Sequence, residues 1–447
     1  MEAYARKTAA LKNVTESEKL NDYSRPAAVQ LILEPARGSV DERQWADRVR
    51  ALSAVFLRYP RVQDSAVSFD TAGNTFHFAN TEGSLVRVPE KVTSLRVRGT
   101  AQAPDGMMLR SGVLITAPEP AAMPAPAELQ RAVTEVAEDL TALAGAPVGE
   151  AYVGPVLFAP RAAGQFLAQV LGGNLGVARK PVSEPGRPIP VPPGELEGRT
   201  GARVMPEWMD VVDDPTQEEW RGAKLSGFYH VDMEGVTPRP VQIVEKGILK
   251  NMLATKQPVR GIDASNGHGR LPGPFGAFAT LIGNLFVRPS QTLSPPDLKK
   301  RLLEMCAQRG KPYGLLIRQL DFPSTASAED LRRLAASQAG SGAAARMVSP
   351  PVLVYRVYAD GREELVRGLQ FRNLSAKCLR DIVAASDESY VFNYVANTAP
   401  FSLMDAGGFV AGASVITPAL LIDDLELDRP QETLPALPVV PPPGQGG

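Results

Sequence analysis

The sequence predicts an α+β protein. A mixed N-terminal domain of helices and an antiparallel meander precedes a mostly antiparallel β C-terminal domain. Three observations carry this. The first 180 residues switch between period-3.6 and period-2 apolar patterning; a Pro/Gly-rich stretch then interrupts both; and the remainder is dominated by short alternating runs separated by turn residues. The expected boundaries are 1–180 for the N-terminal α+β domain, 181–195 for the linker, 196–432 for the mostly-β domain and 433–447 for a disordered tail. A chain of 447 residues is long enough for this division.

The N-terminal elements follow in order. Val29, Leu31 and Leu33 share one face at period two, so "AAVQLILEP" reads as a strand. In "DERQWADRVRALSAVFLRYP", Trp45, Val49, Leu52 and Phe56 make a helical stripe, with Asp41 as N-cap and Pro60 as stop. "AVSFD", "TFHFAN", "SLVRVP", "SLRVRGTAQA" and "GVLITA" alternate, with "TAGN", "NTEG" and "PDG" as turns, giving a meander. Leu129, Val133, Val136, Leu140 and Leu143 stripe the next helix, which Gly145 is placed to cap. A strand, "EAYVGPVLFAP", and a third helix pattern, "RAAGQFLAQVLGGNLG", complete this part.

"KPVSEPGRPIPVPPGELEG" cannot hold a regular element. Beyond it, "LEGRTGARVMPEWMDVVDDP" reads as turn chemistry at Gly198, Gly201 and Asp213–Asp214–Pro215 around a short buried strand. "KLSGFYHVDMEGVTPRPVQIVEKGILKNMLA" carries turns at "DMEG" and "EKG" between alternating runs. "GNLFVRPS" and "YGLLIRQLDF" are strands flanking a capped helix in "SPPDLKKRLLEMCAQRG", striped by Leu298, Leu302 and Met305. "SAEDLRRLAASQ" is a further helix and "AGSGAAAR" a loop. "PPVLVYRVYADGREELVRGLQF" is a hairpin about Ala359–Asp360–Gly361, and "PALLIDDLEL" a last strand.

Bulk properties narrow the function. The net charge of -1 and the absence of a basic stripe with interleaved aromatics argue against a nucleic-acid partner. No apolar run reaches the ~18 residues a membrane-spanning helix needs, so no membrane partner is expected. The polar start suggests a cytoplasmic protein as written, or an exported one if a leader has been removed; the compartment stays open. Two cysteines, Cys306 and Cys378, make no disulfide framework and are expected to be unreactive.

Histidine is the scarce reagent: His77, His230 and His268 are the whole supply. His77 alternates within a strand pattern and is expected to be structural. His230 and Asp232 would share a strand face and, with Glu234, resemble a weak metal site; a turn acid beside a half-exposed strand is the favoured reading. Asp213 and Asp214 before Pro215 read as turn initiation rather than a proton-sharing pair. "SNGHGR" is glycine-rich and basic but lacks the strand and helix of a phosphate loop. It reads as a structural loop lining a groove. If the protein binds a peptide, Asn266, His268 and Arg270 are the first candidates for contact, Arg270 being suited to a carboxylate. No G-x-S-x-G occurs, so serine hydrolase chemistry is not expected.

The order of "GPVLFAPRAAGQFLAQVLGG", "GRTGARVMP", "DVVDDP", "DMEGV", "VQIVEKGILKNML", "SNGHGR", "GNLFVRP", "YADGREELVRGLQF" and "PALLIDDLEL" resembles the TldD/PmbA family of metallopeptidase-like, modulator-of-gyrase proteins. The resemblance spans roughly residues 25–430. "EKGILKNML" is similar to the family's strand–turn–strand with E-N-G-x-L-K, and "SNGHGR" to its T-G-N-G-R turn. The resemblance implies two kinds of subunit. The TldD type carries H-E-x-x-x-H on the helix after the G-P-V strand and a cysteine in a C-terminal glycine-rich loop. These would hold zinc, with the glutamate as general base. The PmbA (TldE) type lacks them and pairs with the first.

Laid on that motif, "FLAQVLGGNLG" puts Ala168 at the first histidine, Gln169 at the glutamate and Gly173 at the second histidine. No histidine lies between His77 and His230, and no cysteine follows Cys378, where the matching loop reads "MDAGGFVAGAS". The resemblance therefore implies a PmbA/TldE-like member with no metal, no cofactor and no catalytic residue of its own. Its partner would be a TldD-type homologous subunit or a second copy of itself, as a homo- or heterodimer, with a peptide as possible ligand. The alternatives are a stand-alone peptide-binding or structural protein that has lost catalysis, and an active metallopeptidase with unidentified ligands.

Overall fold

The computed structural model describes residues 2–11, 20–179, 194–273, 277–325, 348–396 and 411–429. Strand outweighs helix, 41% against 23%, in sheets that mix antiparallel with a few parallel pairs, so the protein is α+β as expected. Most of the Pro/Gly-rich stretch, "SAEDLRRLAASQ", "AGSGAAAR", most of "MDAGGFVAGAS" and the tail from 433 lie outside the described residues.

After helix α1 (Glu2–Leu11) and the short strand β1 (Gln30–Ile32), helix α2 (Glu42–Ser53) starts where Asp41 accepts a hydrogen bond from Gln44 N at 2.9 Å. Three long strands follow, β2 (Val62–Ala79), β3 (Leu85–Gln102) and β4 (Met108–Ala117). The turns expected at "NTEG" and "PDG" are present, with Gly83 and Gly106 at positive φ. "TAGN" is not a turn: Gly73 and Asn74 continue β2, paired opposite Lys91 and Glu90. "SLVRVP" and "SLRVRGTAQA" likewise merge into β3. Turn-prone residues in the middle of a strand are overridden here by an unbroken ladder along β3.

Helix α3 (Pro126–Gly145) lays Leu129, Val133, Val136, Leu140 and Leu143 on this sheet beside Trp45, whose ring stacks on Phe69 with centroids 3.8 Å apart. The helix ends at Gly145 without the left-handed turn expected there; Ala146 leaves it in extended conformation before Pro147.

The second sheet has 11 strands. Strand β5 (Tyr152–Phe158) and helix α4 (Pro160–Val170) follow one another directly; the sequence groups them with the N-terminal part, but β5 is a strand of this sheet and α4 packs against it. Then come β6 (Met209–Asp213), the hairpin β7 (Glu219–Trp220) with β8 (Ala223–Lys224), and β9 (Val241–Glu245) with β10 (Ile248–Leu249). A second small hairpin pairs β11 (Gly269–Pro272) with β12 (Phe278–Thr280). Strand β13 (Asn284–Pro289), helix α5 (Pro295–Gln308), β14 (Tyr313–Leu320), β15 (Pro351–Tyr358), β16 (Glu363–Val366) and β17 (Gln370–Arg372) lead to two long strands, β18 (Ile382–Ala396) and β19 (Ala411–Asp428).

Strand β19 is the spine. β18 pairs along one edge, while β13 meets its start, in parallel, and β5 its second half. The sheet is covered on both faces. Val156 and Phe158 pack with α4, whereas Leu157, Leu316 and Leu421 pack with Leu298, Leu302 and Met305 of α5. That two-sided burial is why β5 and β14 read as apolar runs rather than alternations.

Turn chemistry sets the rest. Lys246 and Gly247, at φ 47° and 75°, form the two-residue link of the β9–β10 hairpin, as "EKG" suggests. "KLSGFYHV" yields only the two-residue β8. Gly227 is pressed so close to the Gly283 backbone that a Cβ there would lie 2.0 Å from the Gly283 carbonyl oxygen.

Candidate functional site

Helix α4 is seated by small residues. A Cβ on Gly164 would lie 2.6 Å from Phe392 Cβ, so glycine lets the helix approach β18. Ala162, Ala163, Phe166, Leu167, Ala168 and Val170 are all buried, which places the helix inside the protein rather than on a wet face. Gln165 Oε1 accepts from Leu320 N at 2.7 Å, tying the helix to the end of β14.

The three positions matched to the family motif lie at the end of this helix. Ala168 contributes a buried methyl. Gln169 Oε1 accepts from both Ser349 N and Ser349 Oγ at 2.9 Å, and its Nε2 donates to Gln165 O at 3.0 Å. Gly173 sits in the 3-10 turn Gly172–Asn174. A methyl, an amide tied at both ends and a glycine do not fit a metal ion, and an amide takes no proton near neutral pH. Among the described residues no group of three His, Cys, Asp or Glu side chains is gathered closely enough to hold one.

The "SNGHGR" turn forms a buried polar cluster. Asn266 Oδ1 accepts from Ala254 N and its Nδ2 donates to Met252 O, both at 2.9 Å. Gly267, at φ 80°, brings the chain so near Pro238 that a Cβ would sit 2.6 Å from its Cα. His268 is fully buried. Its Nδ1 lies 3.0 Å from both Asn266 O and Asn266 Oδ1, and its Nε2 lies 3.1 Å from Asp213 Oδ2, an ion-pair distance without hydrogen-bond alignment. The polar atoms around both ring nitrogens are oxygens of Asn266 and Asp213. Asp213 also accepts from Gly283 N at 2.9 Å.

Arg270 is the third member. Nη1 donates to Ile282 O at 3.0 Å and Gly412 O at 2.7 Å, and the guanidinium carbon stands 4.1 Å over the Tyr229 ring. The Tyr229 hydroxyl in turn donates to Gly267 O at 2.6 Å. The two candidate regions meet at Ile282, whose Cδ1 would lie 3.2 Å from a Cβ on Gly172. The three residues offered as peptide contacts, Asn266, His268 and Arg270, are all buried and engaged internally.

The acids resolve differently. Asp214 is a turn residue, its carboxylate accepting from Thr216 N, Thr216 Oγ1 and Gln217 Nε2. Asp213, read with it as turn chemistry, instead ends β6 fully buried beside His268. Asp232 does form the "DMEG" turn: its carboxylate accepts from Glu234 N and Val236 N at 2.9 Å and from Gly269 N at 3.0 Å. Burial outweighs these bonds and pushes its pKa up to about 6. Glu234, which accepts from Lys256 N at 2.6 Å, is pushed up to about 7, chiefly by burial. His230 packs edge-on to Phe228 in a bend rather than on a strand. His77 lies on β2 opposite Arg87.

Some participants carried no legible signal. Ser349 reaches the end of α4 only through tertiary folding. The ion pair of Asp213 with His268, 55 positions apart, is invisible to turn rules.

Residues 151–322 match the family model for the PmbA/TldA metallopeptidase C-terminal domain. A metalloprotease of Archaeoglobus fulgidus is 33% identical over 78 residues, 17% of each chain. A metalloprotease of Methanocaldococcus jannaschii is 35% identical over 95 residues, 21% of this chain and 20% of that protein. The matched stretches thus span at most a fifth of those relatives. Over the whole fold, TldE from Thermococcus kodakarensis superposes with a TM-score of 0.54 at 12% identity, covering 96% of this chain and 84% of that one. A proposed modulator of a DNA gyrase from Thermotoga maritima gives 0.57 at 15%, covering 92% and 80%. The matched segment runs from β5 through α4, the "SNGHGR" turn and β14, so most of the motifs that suggested the resemblance lie within it, and residues 151–322 carry the PmbA/TldA metallopeptidase C-terminal domain.

Proposed function

We propose that this protein is a catalytically silent, PmbA/TldE-type subunit that pairs with a metal-bearing TldD-type partner in peptide processing. The observation that carries the reading is the end of α4. Where the family motif would put two imidazoles and a carboxylate, the helix presents Ala168, Gln169 and Gly173, and Gln169 is a strut to Ser349. The likeness to the archaeal TldE fold supports the same assignment. Its role is to complete or stabilise the peptide groove, and extended peptides would bind by strand addition, a mode tolerant of sequence.

The test is co-expression with a TldD-type homologue bearing H-E-x-x-x-H. The expected result is a complex on size-exclusion chromatography, with zinc that is lost when the partner's motif histidines are changed and peptidase activity that vanishes when its glutamate is changed. Stoichiometric zinc and peptidase activity in the purified chain alone would overturn the proposal. A lone monomer that ignores every such homologue would move the reading to a stand-alone binding protein.

A further inference from the structure

An open groove of about 1340 Å³ lies where the N-terminal sheet meets the loops of the larger one. Residues 21–30 and Glu82 line it from the first, and Val236, Thr237, Arg239 and residues 263–265 from the second. It exceeds the roughly 300–1,000 Å³ typical of small-molecule sites and suits a length of chain. Its two sides are pinned together. Ser24 N donates to Lys256 O at 2.7 Å, Ser265 N to Ser24 Oγ at 3.4 Å, and the Lys256 ammonium meets Glu82 at 2.7 Å. Phe78 lies so close over Gly235 that a Cβ there would sit 2.2 Å from its ring. Ser265 opens the "SNGHGR" turn, the loop that the sequence places along a groove.

Strand β1 runs out of this groove. It ends its sheet and pairs with β3 alone among the described strands. Leu85 N donates to Val29 O and Leu33 N to Arg87 O, both at 2.8 Å. The odd-numbered residues thus turn their backbone groups to β3, and in an extended chain Gln30 and Ile32 turn theirs the other way. Leu31 packs with Val86 and Val88, whereas the Gln30 and Ile32 side chains are exposed. A strand edge of this kind is a template for another extended chain, and Gln30–Ile32 holds neither the Lys nor the Pro that commonly guards one.

The charges lining the groove are unequal. Asp22 is paired with Lys7 and Glu82 with Lys256. Arg25 and Arg239, both exposed, then stand against Asp263. Two guanidiniums against one carboxylate attract an acidic chain.

We propose that this groove docks an extended acidic peptide, which adds to the edge of β1 at Gln30 and Ile32 and turns its carboxylates towards Arg25 and Arg239. The occupant is a peptide because the edge presents donors and acceptors at strand spacing, which no compact ligand matches. The site deepens the peptide role proposed above and rests on that reading. Because β1 is short, the ladder supplies few bonds and the charges set the preference.

The test uses the full chain and three fluorescent probes: a peptide of alternating valine and glutamate, its counterpart with lysine for glutamate, and the glutamate peptide methylated at every backbone nitrogen. At low salt the glutamate peptide binds about ten-fold more tightly than the lysine peptide, and the gap narrows as salt rises. Arg25→Glu combined with Arg239→Glu reverses the order, and since both side chains are exposed the variant keeps its fold. Methylation removes the peptide's N–H donors and weakens binding about ten-fold or more. Amide hydrogen exchange locates the peptide: exchange at Gln30 and Ile32 slows with the glutamate peptide and not with the methylated one. Equal affinity for the lysine peptide overturns the acidic preference. Binding that leaves exchange at Gln30 and Ile32 unchanged overturns this site, while the peptide role stands. Binding of neither peptide also overturns the site, and the subunit reading is then judged by co-expression alone. Slowed exchange in a chain that pairs with no TldD-type homologue keeps the site and overturns the subunit reading.

Discussion

The side-chain carbonyl of Gln169 accepts two hydrogen bonds from Ser349, both at 2.9 Å, and so fastens the end of α4 to the chain entering β15. A position that the family motif would give to a general base serves here as a joint. Gln169→Ala removes both bonds and is expected to cost about 1–3 kcal/mol in urea denaturation. Gln169→Glu keeps the acceptors but puts a carboxylate beside the Gln165 carbonyl. It should cost about 1 kcal/mol and bring no zinc into the purified protein by elemental analysis.

The buried Asp213–His268 pair should behave as a unit. Asp213→Asn or His268→Ala alone leaves the other partner uncompensated, at a cost of about 3–5 kcal/mol. The double variant should lose clearly less than the sum of the two, which a double-mutant cycle in denaturant reads directly. Strict additivity would show that the 3.1 Å approach carries no coupling.

Stability should fall as pH rises from about 4 towards 7. Asp232 and Glu234 are raised from 3.8 and 4.5 to about 6 and about 7, so the folded state holds protons that the unfolded chain has released. The contribution is fully present below the unfolded pKa values and is lost as pH passes the folded ones. For Glu234 the upper bound is on the order of 3 kcal/mol. Urea midpoints across this range should drop for the wild type, and the drop should shrink in Glu234→Gln. An unchanged slope in that variant would show that Glu234 does not hold the proton.

The β9–β10 link should tolerate change at one residue and not at the next. Gly247 has φ 75°, and a Cβ there would lie 2.3 Å from Met205 O, so Gly247→Ala should cost about 2 kcal/mol or more. Lys246 already holds a left-handed conformation, at φ 47°, so Lys246→Gly relieves that strain and should be neutral or slightly stabilising, by about a few tenths of a kcal/mol, in thermal melts.

Much of this architecture was legible because local chemistry and tertiary context agreed. Asp41, Lys246–Gly247 and Asp360–Gly361 do what cap and turn rules require. The misreadings share one cause, a neighbour supplied from far along the chain. Gly73 and Asn74 look like a turn but are held straight by β3. In "IVAASDESYVFNYVA" Tyr390, Phe392 and Tyr394 alternate, but the small and acidic residues before them blur the pattern of a strand. The absence of ligands on α4 is plain in the letters. The engagement of Gln169 with Ser349, and of His268 with Asp213, depends on which segments the sheet brings together, and no spacing rule reports that.

Strand β19 has a consequence for synthesis. β5 finds its partner at Leu420–Leu427, more than 260 residues later, and β13 and β18 also pair with β19. The N-terminal meander closes on near neighbours and is free to fold while the ribosome is still working. The large sheet has no spine until residues 411–428 have emerged, so β5 and the apolar face of α4 must wait exposed through most of translation. A nascent chain of this protein is half folded and half adhesive, and its need for a chaperone should be greatest just before its last strand appears.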